Sequence, residues 1–210
     1  MQEVLGITKM SGDRAVAIGR PRAFDMDQAL DRALEVFWRK GYEGTTICDL
    51  TAVMGINPPS LYAAFGNKEG LFRKALDRYG ALRTAFWEAA LNAPTARAVA
   101  ETLLLGTAKF LCDPRHPKGC LAVHGALACD EETDCIRKEL ETRRAANQSA
   151  IRERLKRAKK DGDLPADSDP AALARYLATV IEGMAVQAAS GASRKELERV
   201  AETALRAFPE

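Results

Sequence analysis

The sequence predicts an all-α protein of about nine helices, built as a three-helix unit followed by a larger C-terminal helical bundle. Two observations carry this expectation. Apolar residues recur at intervals of three and four over most of the 210 residues, the spacing that lays one apolar stripe along a helix. Glycine and proline punctuate these stretches, and no stretch reads as the alternating pattern of a half-buried strand.

Residues 1–26 mix glycine, serine and charge without periodicity and carry the basic patch Gly19-Arg20-Pro21-Arg22, so they read as a flexible basic arm. From Asp27 the stripe Ala29, Leu30, Ala33, Leu34, Phe37 and Trp38 defines a first helix that Gly41 ends. Thr46-x-x-Asp49 has the form of a capping box, and Ile47, Leu50, Val53 and Met54 give the short helix it opens one apolar face. Gly55 stops that helix. Asn57 then serves as an N-cap for a third helix, Pro58 to Phe65, whose prolines stand in the first turn, where missing backbone donors cost little. Beyond Gly66-Asn67, helical patterns cover roughly 68–91, 95–112, 119–128, 132–160, 170–189 and 194–207. This divides the chain into the arm, a compact unit at 27–67 and a bundle at 68–210.

Composition narrows the partners. A net charge of +2 is too small to attract a polyanion by bulk electrostatics, so any nucleic-acid contact is local. The most apolar late stretch, LARYLATVIEGMAVQAA, is interrupted by Arg175 and Glu182, and no apolar run follows a basic start. The expectation is a cytoplasmic protein with no membrane partner. Five cysteines, an odd number without framework spacing, are expected to be reduced thiols.

Two short helices joined around Gly55 have the layout of a helix-turn-helix, although a generic helical corner shares it. The outer face favours DNA. Tyr62 follows core Leu61 and so points away from the stripe, while Ser60 supplies a hydroxyl and Lys68 an ammonium at the start of the next helix. The pattern Thr46-Ile47-x-x-Leu50-x-x-x-Met54-Gly55-Ile56-x-x-x-Ser60-Leu61-Tyr62-x-x-Phe65-x-x-Lys68-Glu69-x-Leu71 resembles the DNA-binding domain of the TetR/AcrR family of transcriptional regulators. The resemblance implies a homodimer that binds a palindromic, double-stranded operator, acts as a repressor, and lets go when a small molecule enters the C-terminal domain. Pro58-Pro59 and Ala64 depart from residues the family often carries there, which leaves fewer side chains to reach base edges. Thr46, Tyr62 and Lys68 are therefore assigned to phosphates, Asn57, Ser60 and Ala63 to bases or sugars, and Arg20 and Arg22 to an adjacent minor groove or to a merely solubilising tail.

In such a dimer the last two helices are expected to form the interface, through Leu173, Leu177, Ile181 and Met184 on one and Leu197, Val200, Ala204, Leu205 and Phe208 on the other. The alternative is that these are core stripes of a monomer. Cys112, His116, Cys120 and His124 fall at intervals of four, but Pro114 and Pro117 break the helix that would align them for a metal, and neither a cofactor nor a metal is expected. A nucleophilic Cys120 with His124 as base, an enzyme, lacks an orienting carboxylate and an oxyanion loop. If a helix starts at Gly119, its dipole would activate Cys120 as a redox or electrophile sensor; the plainer reading is a buried apolar thiol. The expected effector pocket is lined by Phe86, Trp87, Phe110, Cys120, His124, Met184 and Gln187.

Overall fold

The computed structural model describes residues 24–123 and 134–209, and every regular element among them is a helix. Eight helices have defined bounds: α1 Met26–Lys40, α2 Ile47–Met54, α3 Pro58–Phe65, α4 Lys68–Leu91, α5 Ala96–Leu111, α6 Asp134–Lys160, α7 Pro170–Ala189 and α8 Arg194–Arg206. A further helical turn begins at 121–123 and runs toward the stretch outside the described residues. Arg20, Arg22 and His124 lie outside them too.

Each start has a local cause. Asp25 accepts from the backbone of Asp27 and Gln28, which sets the beginning of α1 at Met26, one residue before the helical pattern that the sequence shows from Asp27. Thr46, Asn57, Asn67, Thr95, Asp169 and Ser193 cap the helices that follow them in the same manner. At eight residues each, α2 and α3 are too short to persist alone, so packing has to hold them. Leu50, Met54, Leu61 and Phe65 supply it, buried against Leu34, Phe37 and Phe72 in a core that continues without interruption into the bundle.

The long α4 joins the two halves, packing on α1 near its start and on α5 further along. At the junction the indole of Trp38 enters the bundle and donates to the backbone oxygen of Gly119 at 3.1 Å. Its ring meets Tyr79 edge-on at 4.6 Å and stacks on His116 at 4.7 Å, with Phe110 beyond. The division at residue 67 is thus a change of packing partners along one core.

The basic end of α6 does not form a solvated face throughout. Arg154, 8% exposed, donates to the carbonyls of Leu91, Ala93 and Pro94 at 2.6–3.3 Å, satisfying acceptors that the end of α4 leaves without helical partners. Asp163 complements it at the next start, accepting from the backbone of Ala96 at 2.5 Å. The α4–α5 turn is therefore held from outside by a cation at a C-terminus and an anion at an N-terminus. Replacing Arg154 by Met should cost about 2 kcal/mol, because three partly buried carbonyls lose a charged donor, and urea denaturation followed by circular dichroism measures it. A loss below about 1 kcal/mol would mean that water replaces the guanidinium.

Candidate nucleic-acid interface and effector chamber

The α2–α3 corner is fixed by sequence-local chemistry. Thr46 and Asp49 form a reciprocal capping box: the Thr46 hydroxyl accepts from the Asp49 backbone at 3.0 Å, and the Asp49 carboxylate accepts from the Thr46 backbone and hydroxyl. Lys40 reaches the same carboxylate at 2.8 Å and ties α1 to α2, while Arg32 donates to the Val53 carbonyl at the other end. Lys40 and the capping bonds pull the Asp49 pKa down to about 2. Gly55 turns the chain in the left-handed region, φ 69°, where a side chain would be strained.

This geometry engages two of the residues that the sequence assigns to DNA contact. The Thr46 hydroxyl is engaged within the capping box and is not a free phosphate anchor. Asn57 directs its oxygen to the backbone of Ser60 at 2.9 Å, so its carbonyl is a cap; only the amide nitrogen is left to face outward. Tyr62, 47% exposed, and Ala63 project from the outer side of α3, and Ser60 is half-buried. Lys68 opens α4 and lies 4.3 Å above the ring of Tyr42, a neighbour that sequence spacing gave no means of finding. Burial lowers the Lys68 pKa, with Glu43 opposing. A cation in the first turn of a helix opposes the dipole unless an anion joins it, and the α4 start suits a phosphate on both counts.

The predicted dimer residues divide by exposure. Leu177, Met184, Leu197, Ala204 and Phe208 are at most 5% exposed within one protomer and so belong to its own core, because α7 and α8 turn those stripes toward α5. Leu173, Ile181 and Leu205 are half-buried; Val200 remains 43% exposed and Val186, on the neighbouring helix, 41%.

Of the expected pocket lining, Phe86, Phe110 and Cys120 meet around a cavity of about 20 Å³ with Tyr79, Arg83 and Thr107. Gly106 allows this closeness, since a Cβ there would stand 2.7 Å from the Phe86 ring. Trp87 lines adjoining spaces of about 40 and 390 Å³. Met184 is sealed in the core and Gln187 is exposed, so neither belongs to this group. Cys120 immediately precedes the helical turn at 121–123 and accepts a hydrogen bond from the Tyr79 phenol at 3.0 Å. Burial pushes the Tyr79 pKa well above its usual value, which keeps that donor protonated. The other regularly spaced residues have separate surroundings: His116 forms a cluster of three rings with Trp38 and Phe110, and Cys112, its pKa raised by burial, faces the Ala192 carbonyl.

A capped, two-helix reading head on a helical bundle has the layout of a DNA-binding regulator. Comparison with known proteins agrees. Residues 29–75 match the bacterial regulatory proteins of the tetR family, and residues 94–204 match the tetracyclin repressor-like C-terminal domain. The HTH-type transcriptional repressor ComR of Escherichia coli (strain K12) is 35% identical over 91% of this chain and 92% of its own. A cysteine-substituted form of the TetR family transcriptional regulator CifR, solved with 26-bp double-strand operator DNA, is 46% identical with a TM-score of 0.87, covering 91% of this chain and all of that one. A TetR regulator from Rhodococcus sp. RHA1 is 44% identical, with a TM-score of 0.60 over 89% of this chain and all of its own. The chain belongs to the TetR family of transcriptional regulators, and it is not an enzyme.

Two predictions follow from the corner. Asp49 has a folded pKa of about 2 against 3.8 ordinarily, so its stabilising effect is complete above pH 4 and fades as pH falls toward 2. Asp49→Asn should therefore lower the melting temperature at pH 7 and make no difference near pH 2; a deficit independent of pH would contradict the ionic part of this account. Lys68→Ala should weaken binding to all DNA sequences and flatten the salt dependence by about one unit of slope. An unchanged slope would remove Lys68 from the phosphate contacts.

Proposed function

We propose that this chain is a homodimeric transcriptional repressor that binds a palindromic operator through α2 and α3 and releases it when a small molecule, or oxidation of a thiol, acts on the C-terminal helices. The observation that carries the reading is the capped α2–α3 corner, with Tyr62 and Ala63 projecting and Lys68 at the start of α4. Its similarity to CifR on operator DNA and to the repressor ComR supports both the partner and the sign of regulation. No helix among the described residues is long and apolar enough to cross a membrane, in keeping with a cytoplasmic regulator.

The dimer is proposed through the outer faces of α7 and α8, where Val186 and Val200 stay exposed in the single chain. Four helices meeting there would place two α3 helices in successive major grooves, about 34–36 Å apart. A change in the angle between protomers then breaks the fit to both half-sites without disturbing any contact to DNA.

For the thiol branch, Cys120 is the candidate, beside the chamber and hydrogen-bonded to Tyr79. Two cysteines substituted in the CifR form stand eight positions apart, as Cys112 and Cys120 do here.

Capture of genomic fragments by the purified protein, before and after mild peroxide and then reductant, tests these statements together. Recovery of a palindrome with half-sites one helical turn apart is expected for the reduced protein, with loss on oxidation and recovery on reduction. Recovery indifferent to peroxide would remove the thiol branch, a non-palindromic site would remove the dimer, and no enrichment in any state would remove the operator-binding reading.

A further inference from the structure

Three adjoining spaces of about 390, 40 and 20 Å³ around α4 have one lining side chain in common, Arg83. Its guanidinium carbon stands 5.1 Å from the centre of the Trp87 ring and 5.7 Å from that of Tyr79. The neighbouring cations are already matched. Arg143 donates to Asp77 at 2.7 Å and Glu139 at 2.8 Å, and Arg144 donates to the Ala122 carbonyl and lies 3.8 Å from Glu182. Among the described residues no carboxylate pairs with Arg83, which is half-buried and held between two aromatic rings.

A second, independent feature points into the same place. The Thr107 hydroxyl is buried and has no hydrogen-bond partner, and Thr107 lines the 20 Å³ space together with Arg83, Tyr79 and Cys120. Buried hydroxyls are satisfied in all but a few cases, and a space of this size holds about one water. The larger space has the dimensions of a small-ligand site and is walled by Leu76, Trp87, Ala122 and Ala146, with Thr84 and Asn147 as neutral polar groups; of its other charged side chains Arg143 is already paired and Glu88 is exposed to solvent.

We propose that this chamber binds a small monocarboxylate. Its apolar or aromatic body lies against Trp87 in the 390 Å³ space, Arg83 holds the carboxylate, and Thr107 donates to it through one water in the inner space. Arg83, without a carboxylate partner among the described residues, offers the parallel donors that a planar carboxylate accepts, and its single positive charge suits a monoanion better than a phosphate dianion. The inference rests on the effector reading above and names the chemical class of that effector. Arg83 and Lys68 lie on the same helix, so an anion at the first is attached to the element that begins beside the DNA.

Calorimetric titration of the full chain with benzoate, phenylacetate and octanoate, each against its primary amide, tests the proposal. At least one acid should bind about tenfold or more tightly than its amide. Arg83→Gln should abolish that difference, and Thr107→Val should weaken the acid while raising the melting temperature of the ligand-free protein, since it removes an unsatisfied hydroxyl. Equal binding of acid and amide, binding by none of the three acids, or an Arg83→Gln protein that folds and still prefers the acid would overturn it. Gel-shift assays on captured operator fragments, run on the same proteins without ligand, separate the two readings: loss of operator binding by the unmodified chain counts against the repressor, while the titration still decides the carboxylate.

Discussion

The indole of Trp38 is the constraint on which the arrangement of the two halves depends. It leaves α1, crosses the junction and hydrogen-bonds the Gly119 carbonyl, one residue before Cys120. A buried carbonyl at that point needs a donor, and a buried indole N–H needs an acceptor, so each group would be costly without the other. The stacked His116 and the edge-on Tyr79 then fix the rotation of the ring, and with it the position of α1 over α4. The reading head and the chamber consequently share a wall: Tyr79 touches Trp38 on one side and Cys120 on the other.

That shared wall gives the proposed allostery a physical carrier. Packed aromatic rings shift between discrete arrangements more readily than they deform, so a disturbance at Tyr79 has few ways to be absorbed locally. The turn at the far end of α4 is clamped by Arg154 and Asp163, so both ends of the helix that lines the chamber are tied to other elements.

The reading head was legible in the sequence because its determinants are local. The capping box at Thr46, the left-handed Gly55, the Asn57 cap with its two prolines and the buried Leu50, Met54, Leu61 and Phe65 are all encoded by neighbours within four residues. The chamber was only partly legible. Phe86, Phe110 and Cys120 converge as aromatic and sulfur positions suggested, but Arg83, Tyr79 and Thr107 read as ordinary helix residues until α4, α5 and the Gly119 turn are brought together. The dimer stripes could not be divided for a related reason: an apolar stripe signals burial but not the partner, and Leu177, Met184 and Leu197 are covered by their own chain while Val186 and Val200 stay exposed. Arg154 shows the same limit in charge, a member of a basic run whose target is a turn some sixty positions away.

The chain has two tryptophans, and the fold separates them by role. Trp38 is 3% exposed at the junction, stacked on an imidazole, whereas Trp87 is half-buried beside the 390 Å³ space with a guanidinium over its face. Their emission should differ in colour and in susceptibility to quenching, so the protein carries its own pair of optical labels, one at the wall between the halves and one at the mouth of the chamber. The order in which the two signals change after mixing with a ligand would separate occupation of the chamber from the response at the junction, without attaching any dye.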